Sequence, residues 1–88
     1  MPKVVITHNV VDVNAWLKGK SERAEQIAGM GGTNVIDHVA QDGSNSIAIT
    51  CDGDVARIMA AIANPAPELA AAMERHGVVP PLAVYVAK

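Results

Sequence analysis

From Lys3 to His8 the chain is short, β-branched and apolar through Val4, Val5 and Ile6, a pattern that predicts a buried strand. Asp12 or Asn14 then offers a helix N-cap. Val13, Trp16, Leu17, Ala24, Ile27 and Ala28 recur on one helical face, with Lys18, Glu22, Arg23 and Glu25 mostly elsewhere. The spacing predicts one amphipathic helix, ended by the glycines between Gly29 and Gly32. Thr33 to Gln41 reads as a second strand carrying Val35, Ile36 and Val39. Asp42-Gly43-Ser44-Asn45 is a hairpin turn of the kind Asp-Gly favours, and Ser46 to Cys51 returns as a third strand. Asp54 caps a second helix whose Val55, Ile58, Met59 and Ile62 keep the helical period. Asn64-Pro65-Ala66-Pro67 breaks it, because proline lacks an amide donor and clashes with the preceding turn. Glu68 to His76 makes a last short helix stopped by Gly77, and Pro80-Pro81 introduces a final strand, Leu82 to Val86.

The order β-α-β-β-α-(α)-β predicts an α+β fold: a ferredoxin-like βαββαβ sandwich with an antiparallel four-stranded sheet, order 4-1-3-2. Its helices cover one face, and residues 1–88 form a single domain. The helix-free face carries alternate residues, either Val5, Val35 and Ile47 or Val4, Ile36 and Val84. Both groupings are too apolar for open water, so a partner sheet is expected.

Composition strengthens that expectation. Half of the 88 residues are apolar, yet there is one Trp, one Tyr and no Phe. A core of aliphatic residues in so small a domain leaves a thin stability margin, which burial of a sheet face in a homodimer would widen. Seven basic residues against nine acidic give a formal charge of −2, with no Lys/Arg cluster beyond Lys18-Gly19-Lys20. Nucleic acid is therefore not an expected partner. Ser21 to Glu25 mixes both signs, as a solvated helix face does. No apolar run approaches the ~20 residues that span a bilayer, so no membrane partner is expected. Without a leader-like amino terminus, and with a single cysteine, Cys51, that cannot form an internal disulfide, the sequence reads as cytoplasmic.

His8-Asn9-Val10-Val11-Asp12-Val13-Asn14-Ala15-Trp16 resembles the opening of small dimeric α/β-barrel proteins, in which a His-x-Val-x-Asp stretch precedes a helix-borne Trp. The end matches as well. Asn64-Pro65 through Glu68-Leu69, Ala72-Met73, Gly77-Val78-Val79 and Pro80-Pro81 is similar to their closing helix and strand. The resemblance, to antibiotic-biosynthesis-monooxygenase-like and cyclase-like proteins, implies a homodimer whose two sheets form a barrel. It also implies a pocket between sheet and helices in each subunit. The activity implied is that of a cofactor-independent monooxygenase or a cyclase or isomerase acting on a small aromatic or polyketide-like molecule. The alternative is a non-catalytic ligand-binding or accessory protein on the same fold. Haem-degrading relatives have an Asn that Asn9 could match, but also a Trp after strand three and a His on the next helix. Thr50-Cys51 and Arg57 to Asn64 supply neither, so no cofactor is expected.

The candidate catalytic residues are His8 and His38, and the candidate substrate-binding residues are Asn9, Trp16 and Met59. His8 ends the first strand and His38 lies late in the second. These strands run parallel with the third between them, so both imidazoles lie towards one end, their backbones about 10 Å apart. That separation suits two groups flanking a small ring-bearing ligand. Histidine titrates near neutrality and so can move a proton. Trp16 would form an apolar wall, and Met30, Met59 and Met73 a pliable one. Each has a structural reading too: a strand-end His satisfying backbone, a Trp filling the core, methionines filling gaps. His76 reads as a cation at a helix C-terminus, and Cys51 as a small buried hydrophobe. Asp37 and Asp42 lack the company of a metal site, and the histidines lack ligand spacing, so no metal is expected. Gly29-x-Gly31-Gly32 follows a helix and enters a strand, the reverse of a phosphate-binding loop.

Overall fold

The computed structural model describes residues 2–88. Its elements are β1 (Lys3–Val10), α1 (Val13–Lys18), α2 (Lys20–Gly29), β2 (Thr33–Val39), β3 (Ser46–Asp52), α3 (Val55–Ala63), α4 (Pro67–Arg75) and β4 (Val78–Val86). The strands form one antiparallel sheet in the order β2-β3-β1-β4, with the crossovers of a ferredoxin-like fold. Among the described residues, no helix is long and apolar enough to cross a membrane.

Strand alternation decides which side chains meet the helices. Val4, Ile6, His8 and Val10 of β1 are buried, as are Ile47, Ile49 and Cys51 of β3, which lie opposite His8, Ile6 and Val4. With Trp16, Ile27 and Ile58 they form the core. Burial pushes the Cys51 thiol above its ordinary range, which keeps it protonated and unreactive.

The helix-free face is neither of the two groupings expected from the sequence. Val5, Thr50, Ile36 and Tyr85 share it, as do Thr7, Ala48, His38 and Ala83 in the next row. Val35 packs on the core instead, Ile47 is buried there, and Val84 lies opposite Ile6 on the helix side. Alternation fixes parity within a strand but not between strands. A register irregularity between Thr33 and Ile36, where Asn34 takes φ 55°, sets the phase of β2.

The first helix is two. Gly19 separates α1 from α2, with the His76 imidazole packed against it so closely that a Cβ would sit 2.5 Å from Nε2. Asp12 caps α1 by accepting from the Ala15 amide at 3.1 Å, and Asp54 caps α3 through the Arg57 amide at 3.1 Å. The break after Ala63 follows from the prolines as expected, but α4 begins at Pro67 itself rather than Glu68, since proline suits the first turn of a helix. β4 begins at Val78 rather than Leu82 and runs through Pro80-Pro81. It is an edge strand paired only with β1, where a missing amide donor is tolerated. Thr7 lies opposite Ala83 but Asn9 opposite Val79, so β4 bulges beside His8.

Candidate functional site

Two concavities lie on opposite sides of the sheet. One, of about 60 Å³, lies half-open between sheet and helices and is lined by His8, Trp16, Arg23, Met30, Met73 and His76 among aliphatic neighbours. The other is an open groove of about 420 Å³ on the helix-free face, where Thr7, Asn9, His38 and Ser46 meet and which His8 also borders.

His8 owes its place to β1 alternation, which turns it inward with Ile6 and leaves it 7% exposed. Its Nδ1 lies 2.8 Å from the Asn9 carbonyl oxygen. A carbonyl can only accept, so Nδ1 carries the proton and Nε2 of the neutral ring presents a lone pair. Burial pushes the His8 pKa below its ordinary 6.5; the bond to Asn9 opposes this and the Arg23 charge adds to it. The neutral ring packs edge-on against Trp16, with centroids 6.4 Å apart and planes at 84°. An uncharged imidazole with no hydrogen bond at Nε2 among the described residues can act as a base, with the Arg23 cation lining the same cavity.

Trp16 is fully buried, and its indole N–H has no hydrogen-bond partner among the described residues. The Arg23 guanidinium stacks 3.9 Å from the centre of its ring. Arg23 is 5% exposed and holds the helix side together. Nε donates to Asp37 Oδ1 at 3.2 Å and Nη2 to Asp37 Oδ2 at 3.0 Å, a bidentate pair. Nη2 also donates to the Trp16 carbonyl at 2.9 Å, and Nη1 to His76 Nδ1 at 3.2 Å.

This network was not anticipated from the sequence. Arg23 was expected on a solvated face and Ala28 inside; Arg23 is buried and Ala28 exposed. The available signal was spacing: Arg23 lies seven residues after Trp16 and four before Ile27, one helical stripe, and its charge masked that. Asp37 was weighed only as a metal ligand. It shares the helix side of β2 with its partner Ile49, and its side chain is 2% exposed. His76 does cap α4, but burial first, then the Arg23 charge, pushes its pKa down, so it is not the dipole-stabilised cation expected.

His38 and His8 both border the open groove, but their side chains leave opposite faces of the sheet. His8 lies opposite Ile47, whose other partner is Val39, whereas His38 lies opposite Ala48, whose other partner is Thr7. The two histidines are one residue out of phase, so His38 is exposed on the helix-free face. Asn9 is there too, exposed, its side-chain oxygen accepting from Ser46 Oγ at 2.8 Å. Met59 is 52% exposed and lines neither concavity; Met30 and Met73 line the helix-side one. No cluster of His, Cys, Asp or Glu suited to a metal occurs among the described residues.

No protein-family model matches this sequence, and no curated protein does. Solved structures do match it along its full length. A proposed antibiotic biosynthesis monooxygenase from Bordetella bronchiseptica superposes with a TM-score of 0.72 at 10% identity, covering 100% of this chain and 97% of that one. A protein described simply as an antibiotic biosynthesis monooxygenase gives 0.63 at 14% identity, covering 100% and 97%. A further proposed member, from Deinococcus radiodurans, gives 0.58 at 11% identity, covering 100% and 93%. At these identities the likeness is one of fold, and it agrees with the resemblance carried by the two ends of the sequence.

Proposed function

We propose that the chain is an enzyme of the monooxygenase-like or cyclase-like kind, with the helix-side cavity as its substrate site and His8 as its base. The observation that carries this is the bare Nε2 of a neutral, buried imidazole beside an apolar wall. His8 would take a proton from a hydroxyl, or from a carbon beside a carbonyl, of a small aromatic or polyketide-like molecule. The enolate so formed could be reprotonated elsewhere, close a ring, or react with dioxygen, without a cofactor. The names of the structures sharing the fold favour the last route. Incubating the purified protein in air with a panel of phenols, aromatic ketones and β-diketones tests the proposal, read by absorbance and oxygen uptake. Turnover at neutral pH supports it, and binding without turnover across the panel contradicts it.

The second reading, a non-catalytic small-ligand-binding or accessory protein, is favoured by the open groove of about 420 Å³, which has room for a ligand that the helix-side cavity of about 60 Å³ lacks. A dry cavity of about 150 Å³ accepts benzene. One of about 60 Å³ is smaller than that and admits a ring only if its lining moves.

We also propose a homodimer through the helix-free face, where Ile36 and Tyr85 are 54% and 57% exposed. In that assembly His38 and Asn9 would line a groove closed by the partner, which is where a role for them would lie. A cytoplasmic location fits the single, buried Cys51. Sedimentation at micromolar concentration should give a dimer, and substituting Ile36→Glu should shift it to monomer. A wild-type protein that sediments as a compact monomer would contradict this.

A further inference from the structure

We infer that His76 is a proton-operated latch holding α4 over the helix-side cavity. The inference concerns access to the cavity and does not depend on what reacts inside it.

His76 is the point where three elements meet. It caps α4, which supplies Ala72 and Met73 to the cavity wall; its ring fills the notch left by Gly19 between α1 and α2; and its Nδ1 receives Arg23 Nη1 at 3.2 Å. Arginine can only donate, so this contact requires an unprotonated Nδ1. The neutral tautomer then carries its proton on Nε2, which lies 3.7 Å from Glu22 Oε1.

The charges around the ring are already matched. Arg23 of α2 is held by Asp37 of β2, and Arg75 of α4 by Glu22 of α2. These four groups are the charged neighbours that bear on His76 from the elements packed against it. Two cations face two carboxylates, each pair in contact. A protonated His76 is a third cation with no uncommitted carboxylate, and its side chain is 10% exposed. Its new Nδ1–H would also point at an Arg23 N–H. The charged form is relieved by moving the imidazole into water, and because the ring fills the notch at Gly19 and belongs to the cap of α4, its departure removes the contact between that helix end and the α1–α2 junction. Asn64-Pro65-Ala66, between α3 and α4, is the joint on which that helix can swing.

Acid therefore opens the cavity while the sheet stays formed. The neutral ring holds α4 above the ordinary histidine pKa of 6.5, and the hold is lost as pH falls through the lowered value in the folded protein.

Trp16, the only tryptophan, reports the event, because it is fully buried against Arg23. Acrylamide quenching of its fluorescence should rise several-fold as pH is taken from neutral to about 5, with far-UV circular dichroism unchanged. In His76→Gln the amide oxygen can accept from Arg23 and nothing titrates, so quenching should stay low throughout, whereas His8→Gln should keep the wild-type response. If His76→Gln does not fold, NMR titration of the wild-type protein decides: the His76 midpoint should coincide with the midpoint of solvent exchange at the Trp16 indole N–H. Trp16 remaining shielded at low pH, a quenching rise that persists in His76→Gln, loss of circular dichroism in step with quenching, or separated NMR midpoints would each overturn the latch.

Discussion

Asp37→Ala is expected to destabilise the domain by about 3–5 kcal/mol, the usual result of removing one partner from a buried ion pair. The pair is bidentate, and its side chains are 6% and 2% exposed. Without Asp37 the guanidinium of Arg23 stays buried over Trp16 with no counter-charge. A domain of this length has a total stability of roughly 4–13 kcal/mol, so the variant should be largely unfolded or unfold at much lower urea. The missing counter-charge, more than the lost contact, is responsible. The double variant Arg23→Met, Asp37→Leu, which removes both charges and keeps apolar volume, should therefore recover most of the loss. Urea denaturation of the three proteins checks this; a single variant within about 1 kcal/mol of wild type would contradict it.

His8→Ala should lower turnover by about 10²- to 10⁴-fold, the range for removing a general base. His8→Gln is the companion variant: it keeps a polar group beside Trp16, fills the space and cannot accept a proton into a cation. Both should lose rate, and the glutamine variant should keep more stability. In the wild type the rate should climb with pH through the lowered pKa of His8 and level off near neutrality, because only the neutral ring offers the Nε2 lone pair. Stability follows the same sign. With the folded pKa below 6.5, the His8 contribution is complete above that pH and is lost as pH falls through the folded value.

The fold was largely legible in the sequence because its signals are local. Asp12 and Asp54 mark their helices, Asp42-Gly43 marks the hairpin, and Pro65 separates α3 from α4, which Pro67 opens. The departures come from contacts between distant residues. Nothing near Gly19 announces that His76 will pack on it and divide the first helix. The β4 start at Val78 depends on pairing with β1 at the sheet edge. The sequence puts His8 at a strand end and Trp16 at a helix start, but alternation along β1 leaves open which parity faces the helices. The face of His38 relative to His8 differs by a single residue of phase between β1 and β2, which only the register through β3 determines. Arg23 was missed because its charge was weighed without its partners, which lie 14 and 53 residues away in Asp37 and His76.

The helix-side location of the site, with His8 as its base, is tested most directly by nitrogen-15 NMR of the histidine side chains at neutral pH. Spectra would be recorded before and after adding a small phenol as probe. The free protein should show His8 neutral with the proton on Nδ1 and Nε2 bare. The probe should shift the Nε2 resonance of His8 and the indole N–H of Trp16 while leaving His38 unmoved. A His8 proton on Nε2, or a probe that shifts His38 and not His8, would contradict the account.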